Sequence, residues 1–507
     1  YLIKFWPLKI SNIIYHSGII IISNAFVFSQ STINMDRFGQ LPQINGNAVS
    51  QNTYKDNIES RYNITFNINT ISNSGHPNLD NNAELYVTGS SAWLISARFE
   101  YSKSWLSLEL EPYTISQNGI FNLDPVSSIY HFTNNHNVNN YLGGTKMGFR
   151  QSRLVLHYKG FGIGYGYMSH WWGPGFHSAL ALSNNAPSQE TYALGTFKDI
   201  RIGQFSFGSQ IIAMPYESTV GAQLYFSGLK AHLSHHSKNA IITLGLHRTY
   251  LSGDFTDLST TTVSTSSWSL MDAVGLVIEP LFGHSKRNLS YTQPHTSASP
   301  QGFDIWDEVL TGYVKLTFPD EHLEVYADVA SDDNRGNLMD LKAHWDHTLG
   351  YQIGFKKFFK FNQYNIITGG EFLTTRVSNT FKPDFYRGGP NTHNYYAKDK
   401  YDYFSYQSRR MGAHSGSSSD DLIFMLGFSN DISTILMSFN KERHGIKNMT
   451  YPELKTEYVL SYYRKISQHT TAFVTLEYEH IKNFSFIQNN ISVSKVIWLG
   501  VILSGWE

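Results

Sequence analysis

The chain has 507 residues, a formal net charge of -1, no cysteine, 39 Gly, and only 16% charged against 15% aromatic residues. Charge is scarce against the roughly 25% usual in soluble proteins, and no basic surplus exists to hold nucleic acid or a polybasic membrane-surface contact. Without cysteine there are no disulfides, thiolate-ligated metals, cysteine nucleophiles or lipidated N-terminal Cys.

The first element is expected to be a signal peptide over 1–29. Lys4 and Lys9 supply a basic start, and apolar stretches at 13–15, 18–22 and 25–28 follow, with cleavage near Ala25 or Ser29. Residues 30–60 are polar and rich in Asn and Gln, and read as a periplasmic lead-in. From 61 to 507 a period of two dominates. No run approaches the ~18 apolar residues that a membrane helix needs. Trp93, Ile95, Ala97, Phe99 and Tyr101 alternate with Ser96, Arg98 and Glu100. After a turn at Ser102-Lys103-Ser104, Leu106, Leu108 and Leu110 alternate with Ser107 and Glu109. Val314, Leu316 and Phe318 lead through Pro319-Asp320 to Leu323, Val325, Ala327 and Val329, with Glu324 and Asp328 on the other face. Further hairpins are expected at 422–439, turning at Ser429-Asn430-Asp431, and at 458–478, turning at Ser467-Gln468-His469. The last strand, 492–504, sets Val493, Ile497, Leu499, Val501 and Leu503 on one face, with Lys495 the exception.

In water each apolar face would need a second sheet to cover it. Short turns at one end, long polar connections at the other and a closing strand favour an all-β fold of another kind. It is a transmembrane antiparallel β-barrel with long extracellular loops, facing outer-membrane lipid outside and a polar lumen inside. At ~9–11 residues per tilted strand, the length allows roughly 16–20 strands. Two connections exceed the usual ~4–6 residues by far. One, about 252–307, is rich in Ser and Thr and holds an apolar stretch at 274–278. The other, about 378–420, is rich in Tyr and Phe. Both are expected outside the cell or folded into the lumen as constrictions.

The most specific stretch begins at Gly160-Phe161-Gly162-Ile163-Gly164-Tyr165-Gly166-Tyr167 and runs into Trp171-Trp172-Gly173-Pro174-Gly175. It ends in Ser183-Asn184-Asn185-Ala186-Pro187. This pattern resembles the Wzi-type capsule assembly family of outer-membrane proteins. Leu323 to Asp328 with Asp332-Asp333-Asn334, Gly369-Gly370-Glu371-Phe372, Phe385-Tyr386 with His393, and Met411-Gly412-Ala413-His414-Ser415-Gly416-Ser417 are similar to further blocks of the family. The resemblance covers most of 90–430. It implies about 18 strands and a non-catalytic lectin that attaches or organises capsular or other extracellular polysaccharide. The family's periplasmic helical bundle has no counterpart in the non-helical pattern of 31–75.

Trp171 and Trp172 beside Gly173-Pro174-Gly175 either stack on sugars, or pack an inward-folded turn or the interfacial girdle. The scaffold reading is favoured, with Asn184 and Asn185 part of the same structural motif. For polysaccharide the candidates are Tyr386, Arg387, Tyr395, Tyr396, Tyr401, Tyr403, Arg409 and Arg410. Tyr offers a flat apolar face with a hydroxyl, and Arg a bidentate grip on uronic-acid carboxylates; a solvated loop without ligand is the alternative. Deleting 390–410 is expected to abolish polysaccharide retention while the barrel folds.

Enzyme signals are weak. His232, His235 and His236 do not make a closed metal set. Glu477 and Glu479 are ordinary lumen charges, no nucleophile elbow occurs, and Gly162, Gly164 and Gly166 lie inside a strand rather than before a helix. Neither catalysis nor a cofactor nor a metal is expected. The other functions considered are a channel for small polar solutes and a structural partner of a secretion or motility complex, so envelope export machinery is a further possible partner.

Overall fold

The computed structural model describes residues 61–76, 80–85, 91–117, 144–217, 223–253, 306–332, 349–376, 396, 404–407, 409–447 and 449–506. The segments expected as signal peptide and periplasmic lead-in lie outside them, as do residues 254–305 of the Ser/Thr-rich connection.

The strands are Arg61–Asn73, Ser91–Lys103, Leu106–Leu110 with Pro112–Gln117, Gly144–Phe149 with Ser152–Tyr158, Phe161–Met168, and Gln189–Thr196 with Ile200–Ile202. Then come Phe205–Glu217, Gln223–His236, Ile241–Gly253, Trp306–Phe318, Leu323–Asp332 and Leu349–Phe361. Tyr364–Thr374, Asp420–Ser429, Ser433–His444, Glu453–Ser467, Thr470–Lys482 and Ile491–Trp506 complete the wall. Three of these are each split into two collinear segments, so 21 segments make a closed antiparallel barrel of 18 strands. One break follows from Pro112, which has no N–H for the ladder. The Arg150 guanidinium bridges it from the neighbouring strand's own break, 2.9 Å from Glu111. Closure is direct: Arg61–Asn73 pairs with Ser91–Lys103 on one side and with Ile491–Trp506 on the other. No strand edge is left unpaired there, which is what a lipid environment requires.

The alternation read from the sequence is the division between inside and outside. Leu323, Val325, Ala327 and Val329 face outward, while Glu324, Tyr326 and Asp328 are buried inside. The hairpins turn where expected, at Pro319-Asp320, Asn430-Asp431 and Gln468-His469. Outside, the large exposed side chains at mid-height are apolar, aliphatic ones with Phe66, Phe355 and Phe424 among them. At the short-turn end they are bounded by Tyr62, Trp105, Tyr158, Phe161, Phe361 and Tyr364, and nearer the other end by Trp93, Tyr167, Tyr192, Tyr458 and Tyr478. Aromatic girdles around an apolar band are the signature of a barrel seated in a bilayer. Short turns mark the periplasmic end.

Inside, charges are paired along the wall. Arg153 and Arg98 meet Glu109, Arg248 meets Glu308, and Lys356 meets Glu324 at 2.8 Å. Lys455 sits among Asp80, Glu442, Glu457 and Glu479. The histidines of 232–236 each have a separate partner: His232 with Asp199 at 2.9 Å, His235 with Gln204 and His236 with Ser206. Glu479 is held by Lys455 and His76.

Candidate functional site

From the long-connection end, residues 169–188 turn into the lumen. Trp172 is 1% exposed and its N–H donates to the Leu182 carbonyl at 2.8 Å, closing the segment into a narrow loop. The Trp171 indole N–H donates to the Gly175 carbonyl at 2.9 Å. Glycine is required at both ends of the Gly-Pro-Gly turn. Gly173 takes φ +151°, and a Cβ on Gly175 would stand 2.1 Å from the Gln352 amide. The turn hangs on one wall carboxylate. Glu371 accepts the N–H groups of Phe176 at 2.7 Å, His177 at 3.3 Å and Ser178 at 2.8 Å, and the Tyr326 hydroxyl at 2.6 Å. Gln352 donates to the Ser178 carbonyl.

Other inward segments pack on this one. Asn185, fully buried, receives the Asn81 N–H at 3.1 Å on its Oδ1 and donates to the Arg410 carbonyl at 2.8 Å. Ser183 donates to the Met411 and Gly412 carbonyls. The Tyr396 hydroxyl donates to the Leu180 carbonyl and accepts the Ala413 N–H, while its own N–H donates to Asp332 at 2.8 Å. Trp172, Leu180, Leu182, Met214, Phe226, Tyr396, Phe404 and Met411 belong to one buried apolar cluster within the barrel.

A second tie is ionic. His177 and His414 point their Nε2 atoms at the same Asp421 oxygen, 3.3 and 3.2 Å away, and their rings meet edge to face at 4.6 Å. The Asn81 side-chain amide lies 3.2 Å from Nδ1 of His414. Burial by itself pushes the His414 imidazole down, but the carboxylates of Asp421 and Glu442 override it and hold the ring protonated up to about 10. His170 lacks such partners: burial first, then Lys230 and Arg153, pull it down to about 3, so it is a neutral hydrogen-bonding ring. Donor atoms of His177, His414 and Asp421 lie within 4.8 Å of one another, as do those of Asp80, His414 and Glu442 and those of Asp80, Glu457 and Glu479.

Beside the inward segment the lumen keeps a partly open cavity. Asn184, half-buried, lines it together with Lys230, Arg153 and Gln210.

The structure changes the reading of the predicted site. Trp171, Trp172, Gly173, Pro174, Gly175 and Asn185 are interior, so neither indole offers a face to an external sugar. Of the polysaccharide-binding candidates, Tyr396, Arg409 and Arg410 are at most 1% exposed and are packed within the lumen rather than on an outer surface. Their polar sequence context concealed this, because partners that hold them, Leu180, Asn185 and Asp332, are distant in the chain. Deletion of 390–410 would therefore remove part of the interior core as well. Tyr386, Arg387, Tyr395, Tyr401 and Tyr403 lie outside the described residues. Glu371, Gln352 and Asn81 were not singled out from the sequence. The one signal for Glu371 was its place in the Gly-Gly-Glu-Phe block.

A closed barrel with an apolar girdled exterior and inward-folded segments defines an outer-membrane β-barrel protein with a filled lumen. Residues 64–268 match the family model described as "Capsule assembly protein Wzi", the family that the motifs resemble. Among solved structures the chain is similar to the Escherichia coli outer-membrane protein Wzi, described as a carbohydrate-binding β-barrel involved in group 1 capsule assembly. Identity is 12% and the TM-score 0.53, over 86% of this chain and 83% of that one. It is also similar to Pseudomonas aeruginosa OccK2 (OpdF), with 8% identity, a TM-score of 0.42, and 88% and 98% covered. At these identities the likeness is one of fold. Comparison with curated proteins gives no match.

Proposed function

We propose that this outer-membrane barrel is a non-catalytic surface lectin that attaches or organises capsular or other extracellular polysaccharide. The observation that carries this reading is the filled lumen. Trp172, Leu180, Tyr396 and Phe404 form a buried core where a solute channel would need water. The family match over 64–268 and the carbohydrate binding described for the Escherichia coli barrel support the same reading. The blocks resembling the family converge on this core: Trp172 and Asn185, Asp332, Glu371, and Met411 to His414. They act as scaffold, which leaves sugar contact to other side chains, for which Tyr386, Arg387, Tyr395, Tyr401 and Tyr403 are the candidates. Each Tyr brings a ring face and a hydroxyl to a hydrated polymer.

The test is retention of extracellular polysaccharide by cells producing the wild type or a Tyr386→Ala, Tyr401→Ala, Tyr403→Ala variant, with folding checked by heat-modifiable gel migration. Loss of retention by a folded variant is the expected result. Polysaccharide that neither binds purified wild-type protein nor depends on it at the cell surface overturns the reading.

A further inference from the structure

The glycines at 162, 164 and 166 have a consequence in the barrel wall. Ile163, Tyr165 and Tyr167 face outward, so the glycines fall on the lumen side of Phe161–Met168. Gly164 stands opposite Val155 and Gly166 opposite Arg153 in the register. No side chain from this strand therefore fills the lumen at that height. Gly164 and Gly166 both line the lumen cavity, which is bordered on the long-connection side by Ser169, His170 and Asn184.

The chemistry of the lining is specific. Arg98, Arg153 and Lys230 bring three cations, against the single carboxylate of Glu109. Arg98 and Arg153 are engaged with Glu109. Among the described residues, Lys230 has no acidic side chain within ion-pair distance. Its cross-strand neighbour Gln210 is 3% exposed, and among the described residues its side-chain amide makes no hydrogen bond. Buried polar groups are normally paired, so an amide with no hydrogen bond among the described residues, facing a cavity beside an ammonium whose opposing carboxylate, Asp199, is held by His232, points to a ligand. Phe197 and Val155 add an apolar surface on the same cavity.

We infer that this lumen cavity binds an acidic monosaccharide unit, a hexuronate. Its carboxylate sits at Lys230, its hydroxyls on Gln210 and Asn184, and its apolar face against Phe197. The inference rests on the lectin reading and gives it a second, interior contact for the polymer's charged residues. The neutral His170 beside the cavity suits a hydroxyl better than a second cation would.

The experiment is calorimetric titration of the purified full-length barrel with sodium glucuronate, sodium galacturonate, glucose and inorganic phosphate. Uronates are expected to bind more tightly than glucose or phosphate. Lys230→Met should weaken the uronates by at least about tenfold, the value of one charge-assisted hydrogen bond, and leave glucose unchanged. Gln210→Glu should weaken them too, by placing a second carboxylate in the cavity. Both variants must show the wild-type heat-modifiable migration. Equal binding of glucose and uronates, tighter binding of phosphate, or full uronate affinity in both folded variants overturns the inference. If that happens while cells still retain polysaccharide through the wild type, the lectin reading stands alone. If retention fails as well, both fall.

Discussion

Glu371 shows how much one side chain can hold. Its two oxygens accept three consecutive backbone N–H groups and a phenol, all buried. Glu371→Ala leaves those donors without partners at about 1–3 kcal/mol each. Hydrogen exchange at residues 176–178 should accelerate strongly while the wall strands stay protected. His414 makes a pH-dependent tie of the same kind. Its folded value, about 10, lies above the ordinary 6.5. The stabilisation is therefore fully present below 6.5 and is lost as pH rises through about 10. Thermal unfolding in detergent should show the inward segments loosening across that alkaline range in the wild type. In His414→Ala, which leaves Asp421 buried beside one imidazole only, they should be loose at neutral pH by about 3–5 kcal/mol.

At the scale of elements, the strands obey one rule with different solvents on their two faces. In Glu453–Ser467, Leu460 faces lipid near the middle while Ser461 is buried inside. Leu460→Arg is expected to cost ~2–4 kcal/mol on folding into vesicles, because a guanidinium at mid-bilayer is poorly solvated. Tyr62→Arg, close to the short-turn rim, should cost only ~0–1 kcal/mol. Urea titration of vesicle folding measures both. Equal costs at the two positions would place the bilayer elsewhere on the barrel. The inward segments follow a different logic. They are rich in small residues, as in 411–419; Gly412 fits against the Leu180 carbonyl and Ser183, and a Cβ on it would stand 2.2 Å from the Tyr396 hydroxyl.

For the whole molecule, the decisive property is the buried apolar cluster that the inward segments build within the barrel. The intact barrel is expected to give no stable conductance in a planar bilayer. A variant lacking 176–182 should conduct if its wall still closes, since that segment supplies Leu180 and Leu182 to the interior core. Stable conductance through the intact barrel would return the channel reading to first place.

The sequence by itself determined the wall. Alternation at 93–101, 323–330 and 492–504, with its turns and girdle aromatics, specifies inside and outside because a strand's side chains alternate strictly and each face meets one solvent. It also marked 171–187, 369–372 and 411–417 as special, without saying why. That Glu371 holds a turn 195 residues away in the chain, that Tyr396 and Arg410 are core rather than surface, and that Gly164 and Gly166 line a cavity beside Lys230 was decided only in the folded barrel. Those contacts join segments far apart in the chain. A tyrosine or arginine in a polar stretch carries no local mark of which partners will bury it. The scarcity of charge and abundance of aromatics were legible from composition, and their placement needed the closed ring of strands.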